Sequence, residues 1–295
     1  MNIAEMLALI GLGYLLKLVV RKERPFDWLR FITNDILLAF FVFGNVASKD
    51  LEYLLSIKTV FLYVFLIIGI SLGFSYLYGR FTLKSDPWAG ALMVLSVYPN
   101  TAALGFPIAE LFLKDITPVM LYSTTNSMIV IPIVTFIAAH YSSGGASVKE
   151  SFLKALKFPP TLANLLALGL VIAGIHLPGW FIEPIKTIGW LSIPLLLIYF
   201  GSRITLRAFE LRKLLEVGTF RIAIPFVFVF LTLRWASRDV FYSVLVEASM
   251  PPAIAANAIL AQYRLKADDA ISVTFVLTLL VIGLFVILRI LAGSG

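Results

Sequence analysis

The chain has 295 residues, of which 60% are hydrophobic and only 14% are charged, and its formal net charge is +7. Soluble globular domains carry about 25% charged residues, so this composition excludes an ordinary soluble enzyme, and the absence of cysteine excludes a disulfide framework. Basic cytoplasmic loops explain the positive charge more simply than nucleic-acid binding does, and we expect no nucleic-acid partner.

Apolar segments near the ~20 residues that a spanning helix needs recur along the whole chain. They predict an all-α membrane protein with about ten transmembrane helices. The predicted spans cover residues 3–20, 31–47, 59–80, 87–113, 117–141, 160–177, 186–203, 217–235, 240–264 and 269–291. The fourth and ninth spans are longer than one crossing requires, and both contain prolines.

Prolines interrupt these two long spans at matching places in the two halves of the chain. Pro99 and Asn100 lie in the first break, and Pro251-Pro252 lie in the second, followed by Asn257. Proline removes a backbone donor and clashes with the preceding turn, and lipid cannot satisfy the freed backbone groups. Broken helices at matching positions in two halves indicate the binding site of a secondary transporter.

Lys and Arg are distributed unequally between alternate loops. One set of loops holds 17 of the 24 Lys and Arg residues; it comprises residues 17–30, 80–86, 142–160, 203–221 and 264–268. The positive-inside rule places this set in the cytoplasm. Both termini are then predicted to be extracytoplasmic, in a multi-pass protein of the cell membrane (plasma or inner membrane).

The two halves also share short motifs in the same order. Residues 51–55 resemble residues 211–215, and a Phe-Gly pair closes both the second and the seventh spans. Five spans per half make the second half start on the opposite side of the membrane, so the repeats are predicted to be inverted. The expected division is a first repeat at 1–141, a cytoplasmic linker at 142–159 and a second repeat at 160–295.

The breaks predict a substrate site. A half-helix begins after each break with free N–H groups and the positive end of its dipole, and two such ends form an anion site suited to a carboxylate. The upstream half-helices end in carbonyl groups, which suit a cation. The predicted substrate-binding residues are Tyr98, Pro99, Asn100, Thr101, Gly105, Pro251, Pro252 and Asn257. The alternative is that the prolines only kink packed helices.

A second polar set predicts ion coupling. Glu247 lies one turn before the second break, where a carboxylate can ligate a cation or carry a proton. The predicted ion-coupling residues are Glu247, Ser123, Asn126, Ser127 and Asp35. The alternatives are a Glu247 near the membrane surface, interhelical hydrogen bonds in the fifth span and a helix-start role for Asp35.

Three further features have simple interpretations. His140 and His176 have no cysteine or second histidine near them, so we predict no metal centre and no organic cofactor; a sodium ion or a proton is the expected coupling ion. Lys17 and Arg203 are expected to anchor helix ends at the membrane surface. Arg221, one turn into the eighth span, is either a similar anchor or a group that reaches the substrate.

The residues at both breaks resemble the auxin efflux carrier family of membrane transport proteins, whose prokaryotic members are called carboxylate permeases. Residues 100–107 are similar to the family's Asn-Thr-Gly-x-Leu-Gly-Leu-Pro motif, and residues 247–253 to its Glu-x-x-Met-Pro-Ser-Ala segment. The resemblance runs the full length of the chain. Two residues depart from the family pattern: Ala102 stands where glycine is usual, and Leu38 replaces a common proline.

The resemblance implies the fold of bile acid–sodium symporters and sodium–proton antiporters, in which broken helices four and nine cross. It implies a scaffold domain, which often dimerises, and a transport domain that moves against it. Organic-anion substrates are implied too. By analogy, sodium ligands of the symporters fall at Glu247, Asn100, Thr101, Ser123 and Ser127. Plant auxin carriers need no sodium, so the coupling ion stays open.

The sequence therefore predicts a permease that moves a small organic anion by an elevator-like motion of spans 3–5 and 8–10 against spans 1–2 and 6–7. A homodimer through the scaffold is a further expectation. One alternative is a monovalent cation/proton antiporter of the same architecture, which would favour paired membrane Asp residues. Others are an intramembrane enzyme, against which no nucleophile elbow is present, and a ligand sensor without flux.

Overall fold

The computed structural model describes residues 3–20, 22–84, 86–142, 157–204 and 208–293. Within these ranges every regular element is a helix, which confirms the all-α prediction. The helices are α1 (Ile3–Val20), α2 (Arg24–Ala47), α3 (Leu51–Leu83), α4 (Trp88–Val97), α5 (Thr101–Phe112), α6 (Thr117–Tyr141), α7 (Pro159–Ile172), α8 (Gly179–Ser202), α9 (Leu211–Thr232), α10 (Arg238–Ala248), α11 (Ile254–Gln262) and α12 (Ala267–Gly293).

Six of these helices are long and apolar enough to cross a membrane, namely α2, α3, α6, α8, α9 and α12. The helices α4, α5 and α7 are shorter but also apolar. The two predicted overlong spans are each divided into a pair of short helices, α4 with α5 and α10 with α11. Pro99 lies in the first division, and Pro251 and Pro252 lie in the second. The helices end there because a proline cannot donate a hydrogen bond to the turn before it.

Close backbone contacts hold α1 against the second part of α8. A Cβ on Gly13 would collide with the Ile198 carbonyl, and a Cβ on Gly201 would collide with the Ile10 carbonyl. Glycine is required at both positions because small residues allow helices to approach closely in a membrane. The first part of α8 packs on α2 in the same way, with Gly189 against the Phe41 backbone. The helix α7 also packs on α2.

The other helices, α3 to α6 and α9 to α12, form a second packed group. The helix α6 contacts α3, α4 and α10, while α9 packs on α3 and α10, and α11 packs on α12. Large apolar side chains on the outside of the bundle, such as Leu62 and Phe65 of α3 and Leu280 and Leu284 of α12, are more than 40% exposed. Such an apolar exterior suits contact with lipid. The two helix breaks lie where this group faces α2 and α8.

Candidate binding site at the helix breaks

The two proline breaks meet and pair through their backbones. Pro99 and Pro252 form an isolated antiparallel bridge. The N–H of Asn100 donates to the Pro251 carbonyl at 2.8 Å, and the N–H of Ala253 donates to the Tyr98 carbonyl at 2.8 Å. The donors are the residues that follow each proline because proline itself has no N–H. Each break thus satisfies backbone groups that the other exposes.

A cavity of about 680 Å³ lies beside this bridge. Five of the predicted substrate-binding residues line it: Tyr98, Pro99, Asn100, Thr101 and Asn257. Ser127, predicted to serve ion coupling, also lines this cavity. Most of the wall is apolar, with a few polar groups, which is typical of a small-molecule site. Pro251 and Pro252 are buried in the bridge behind the wall.

Two helices begin at the cavity wall without a side-chain cap. The helix α5 starts at Thr101 after Asn100, and α11 starts at Ile254 after Ala253; neither preceding residue makes a side-chain capping bond. By contrast, α3 is capped by Asp50, whose Oδ1 accepts from the Tyr53 N–H at 2.7 Å. The first N–H groups of an α-helix lack acceptors within it and carry partial positive charge. This wall of the cavity is therefore electropositive.

Two asparagine side chains add hydrogen-bond donors to the same wall. Asn100 is only 6% exposed, and its Nδ2 atom has no partner in the described part of the chain. The Thr274 hydroxyl donates to Oδ1 of Asn257 at 3.1 Å. Because Oδ1 of Asn257 is engaged in this way, its amide nitrogen is the atom available to a bound molecule. Both amides can therefore donate to an anion.

Basic residues from the facing helices complete the cavity, although their sequence positions do not predict it. Arg30 of α2 and Arg203 after α8 both line it. Arg203 forms ion pairs with Glu23 at 2.6 Å and Asp27 at 3.5 Å. The sequence shows only that Arg30 and Arg203 are basic. Their position near the breaks depends on how α2 and α8 pack against the other helices.

Glu247 lies behind the cavity and is fully buried. Neither of its carboxylate oxygens has a hydrogen-bond partner among the described residues. A Cβ on Gly105 would lie 2.7 Å from Glu247 Oε1, so the missing side chain of Gly105 makes room for the carboxylate. Gly105, predicted to bind substrate, is placed against Glu247 and is not part of the cavity lining.

Buried polar groups of α6 lie between the breaks and the rest of the bundle. The hydroxyls of Thr101 and Ser123 are hydrogen-bonded at 2.6 Å. Asn126 is 1% exposed, and neither its Oδ1 nor its Nδ2 has a partner in the described residues; the same holds for the Tyr122 hydroxyl. Buried polar groups are rarely left unpaired, so these atoms are able to hydrogen-bond a water molecule or to bind an ion.

Asp35 and Arg221 have different surroundings from the rest of the predicted set. Asp35 lies in the π-helical segment Phe31–Leu37 of α2 and is half-buried, outside the cavity lining. Arg221 of α9 is fully buried. Its guanidinium donates to main-chain carbonyls at the ends of α4 and α10. We call the place where the two breaks pair the crossing, and its two sides the poles. The cavity lies at the pole formed by the starts of α5 and α11, and Arg221 lies at the pole formed by the ends of α4 and α10, so it is neither a surface anchor nor a lining residue.

Comparisons with known proteins give a consistent result. The profile of a family described as "Membrane transport protein" matches residues 3–289. An uncharacterized transporter of Methanocaldococcus jannaschii is 24% identical over an alignment of 307 positions, gaps included, which covers 95% of each chain. An uncharacterized transporter of Methanothermobacter thermautotrophicus is 25% identical over 288 residues, which cover 95% of this chain and 93% of the relative.

Proposed function

Because the chain belongs to the membrane transport protein family, to which the auxin efflux carriers that its break motifs resemble also belong, we propose that it is a secondary active transporter of a small organic anion, a carboxylate in particular. Its relatives are named as transporters, and the family consists of membrane transporters and not of enzymes. The substrate class is our inference from the site.

One observation carries the choice of an anion. The uncapped starts of α5 and α11 face the same cavity, where the unpaired Asn100 amide also lies. Helix N-termini bind carboxylates and phosphates through free N–H groups and the dipole. The apolar remainder of the wall favours an organic anion over an inorganic one. Arg30 adds a positive charge to the facing wall, which raises the local concentration of anions, whereas the charge of Arg203 is balanced by Glu23 and Asp27.

The proposed topology counts α4 with α5, and α10 with α11, as one span each, so that the twelve described helices make ten crossings. The two five-span repeats, 1–141 and 160–295, are then inverted around the linker 142–159, and both termini are extracytoplasmic. The antiparallel pairing of the breaks supports a two-fold relation between the repeats.

The proposed motion is of the elevator type. The scaffold comprises α1, α2, α7 and α8, which pack on one another, and the transport domain comprises the other helices. The cavity lies between the two groups, with Arg30 and Arg203 on one wall and the breaks on the other. A bond from Trp190 Nε1 to Glu110 Oε1 at 3.1 Å joins scaffold and transport domain elsewhere. Movement of the breaks past the scaffold would carry the bound anion.

Ion coupling is proposed to use the buried carboxylate of Glu247. A carboxylate that has no hydrogen-bond partner among the described residues is costly in a membrane interior. Arg221 interacts with it only from beyond ion-pair distance, so Glu247 is expected to hold a cation or a proton during transport. The Thr101–Ser123 pair and the unpaired Asn126 amide provide neutral oxygen ligands near it. Sodium and protons remain alternatives, which the experiment separates.

The test is flux in proteoliposomes with a panel of mono- and dicarboxylates, under separately imposed sodium and pH gradients. We expect flux of at least one anion and a loss of about 30-fold in Asn100→Ala, since a hydrogen bond to a charged ligand is worth about 2 kcal/mol. The control is Asn45→Ala, because Asn45 donates to the Phe41 carbonyl of its own helix and lies outside this cavity.

Two outcomes would contradict the proposal. Normal flux in Asn100→Ala would refute the assignment of the site. No anion flux together with a response to sodium or protons alone would favour a cation/proton antiporter.

A further inference from the structure

The backbone carbonyls on the far side of the crossing form a cation-binding arrangement. Four of them converge at the ends of the two upstream half-helices: Ser96 of α4, Glu247 and Ala248 of α10, and Met250 just beyond it. The last carbonyls of a helix lack intrahelical donors and carry partial negative charge. Where two such helix ends meet in the protein interior, a positive charge is needed to compensate their partial negative charges.

The guanidinium of Arg221 meets that requirement. Its Nε donates to Met250 O at 3.1 Å, Nη1 to Ser96 O at 3.2 Å, and Nη2 to Ala248 O at 3.1 Å and Glu247 O at 3.4 Å. All three nitrogens thus bind main-chain oxygens. In the described part of the chain no carboxylate oxygen lies within ion-pair distance of Arg221. The side chain is fully buried, so water does not replace these contacts.

The local backbone of α9 is irregular where Arg221 projects. Residues Thr219–Ala223 form a π-helical segment, a feature that often marks functional positions in helices. The Glu247 carboxylate interacts with this charge from beyond ion-pair distance, and a buried charge without a close acidic partner is expensive. The carbonyls of the two half-helices are its nearest compensating groups, which indicates that the charge serves the crossing itself.

We propose that the Arg221 guanidinium is a built-in cation, which permanently fills a monovalent-cation site formed by the ends of α4 and α10. In the parent protein this site is closed to any coupling ion. The consequence for coupling rests on the proposed transport function: the crossing then has only the Glu247 carboxylate with which to hold a cation or proton. The cation site itself does not depend on any particular substrate.

The first test separates charge from packing by thermal unfolding of purified protein in detergent. Arg221→Lys keeps the charge, whereas Arg221→Met is uncharged and fills a comparable volume. We expect the Met variant to melt at least about 5 °C below the Lys variant. Buried charges can often be replaced by apolar residues without loss, so a Met variant that melts as high as the Lys variant would overturn the proposal.

The second test restores the cation from solution. Low-millimolar guanidinium chloride, far below denaturing concentrations, is compared with choline chloride at equal ionic strength. It should raise the melting temperature of Arg221→Ala in a concentration-dependent way, as a ligand of the folded state does. The parent and Arg80→Ala, which changes an exposed arginine in the π-helical segment Gly79–Leu83 of α3, should not respond.

The outcomes of the second test are equally distinct. An equal response of all three proteins to guanidinium would overturn the built-in cation, and so would the absence of any response in Arg221→Ala. If Arg221→Ala does not fold, the comparison of Lys with Met decides alone. Because no substrate enters either measurement, failure here is separate from failure of the anion-transport proposal.

Discussion

The two poles of the helix crossing differ in how their helix ends are compensated. The open pole consists of the starts of α5 and α11, and the closed pole consists of the ends of α4 and α10. On one pole the starts of α5 and α11 face a cavity of about 680 Å³ and have no side-chain caps. On the other pole the ends of α4 and α10 are bound by the buried guanidinium of Arg221. The protein neutralises its negative helix ends internally and leaves the positive ends free. Under the proposed transport function, this asymmetry is the feature that favours an anionic ligand.

The largest expected effect comes from removing the charge at the closed pole. Arg221→Ala should lower the free energy of unfolding by at least about 3 kcal/mol, because four buried carbonyls lose a donor and each acceptor left unpaired costs roughly 1–3 kcal/mol. Asn100→Ala, at the open pole, should change it by less than about 1 kcal/mol because the amide nitrogen has no partner among the described residues. Denaturation in detergent measures the stability of both variants. An equal loss of stability in the two would contradict the proposed difference between the poles.

The next effect concerns the carboxylate between the poles. Glu247→Gln keeps the shape of the side chain but cannot change its charge. We expect flux to lose its stimulation by an ion gradient, a factor of roughly 5–150 for typical coupled sites, while anion exchange without a gradient continues. Parallel flux assays with and without the gradient measure this. A variant that is still driven by the gradient would assign coupling to another residue.

A smaller effect is expected from filling the space opposite Glu247. The Cβ of Gly105→Ala would lie 2.7 Å from Glu247 Oε1 and 3.0 Å from its Cδ, so the carboxylate must move. Because a side-chain end can shift, the cost in stability should stay near 1 kcal/mol. Gradient-driven flux should fall more than exchange does. Gly283→Ala is the matched control, since a Cβ there meets nothing within 4 Å.

The smallest effect lies outside both poles, at the loop before α6. Burial alone would raise the pKa of Asp115, but hydrogen bonds from Lys49, Thr117 and Tyr53 lower this pKa to about 2. A lowered carboxyl pKa stabilises the fold above the unfolded value of 3.8 and loses that contribution as the pH falls towards 2.

Asp115→Asn should therefore cost about 1 kcal/mol at neutral pH after allowance for its partial exposure. The melting temperature of the parent should be nearly constant from neutral pH down to about pH 4 with respect to this group and should fall below it. The melting temperature of Asp115→Asn should fall less than that of the parent over this acid range. Thermal unfolding across a pH series measures this, and identical acid profiles would show that the Lys49–Asp115 pair has no energetic role.

Much of the site could be predicted from single residues and their neighbours in sequence. Pro99 and the pair Pro251-Pro252 break their helices wherever these helices pack, because the lost donor and the ring clash are properties of proline. The placement of Asn100 and Asn257 next to the breaks follows directly. These residues line one cavity, as expected of a shared site.

The surroundings of other candidate residues could not be predicted from the sequence alone. Gly105, predicted to bind substrate, lies against Glu247. Of the predicted ion-coupling residues, Ser127 lines the cavity and Asp35 lies outside it, and the roles of both stay predictions. Each of these outcomes depends on which face of a helix meets which neighbour. The apolar composition of the spans gives no clear face, since apolar residues occur both inside the bundle and on its exterior.

What the sequence determined by itself is a membrane-embedded all-α chain of a transporter family, with two helix breaks at matching places. Apolar length and proline are local properties, so no neighbour in space is needed to interpret them. Only the tertiary structure decided which groups meet at the breaks. Arg221 and the Ser96 carbonyl are 125 residues apart in sequence yet lie 3.2 Å apart. The packing of α9 on the crossing turns an arginine that resembles a helix-end anchor into the cation of the closed pole.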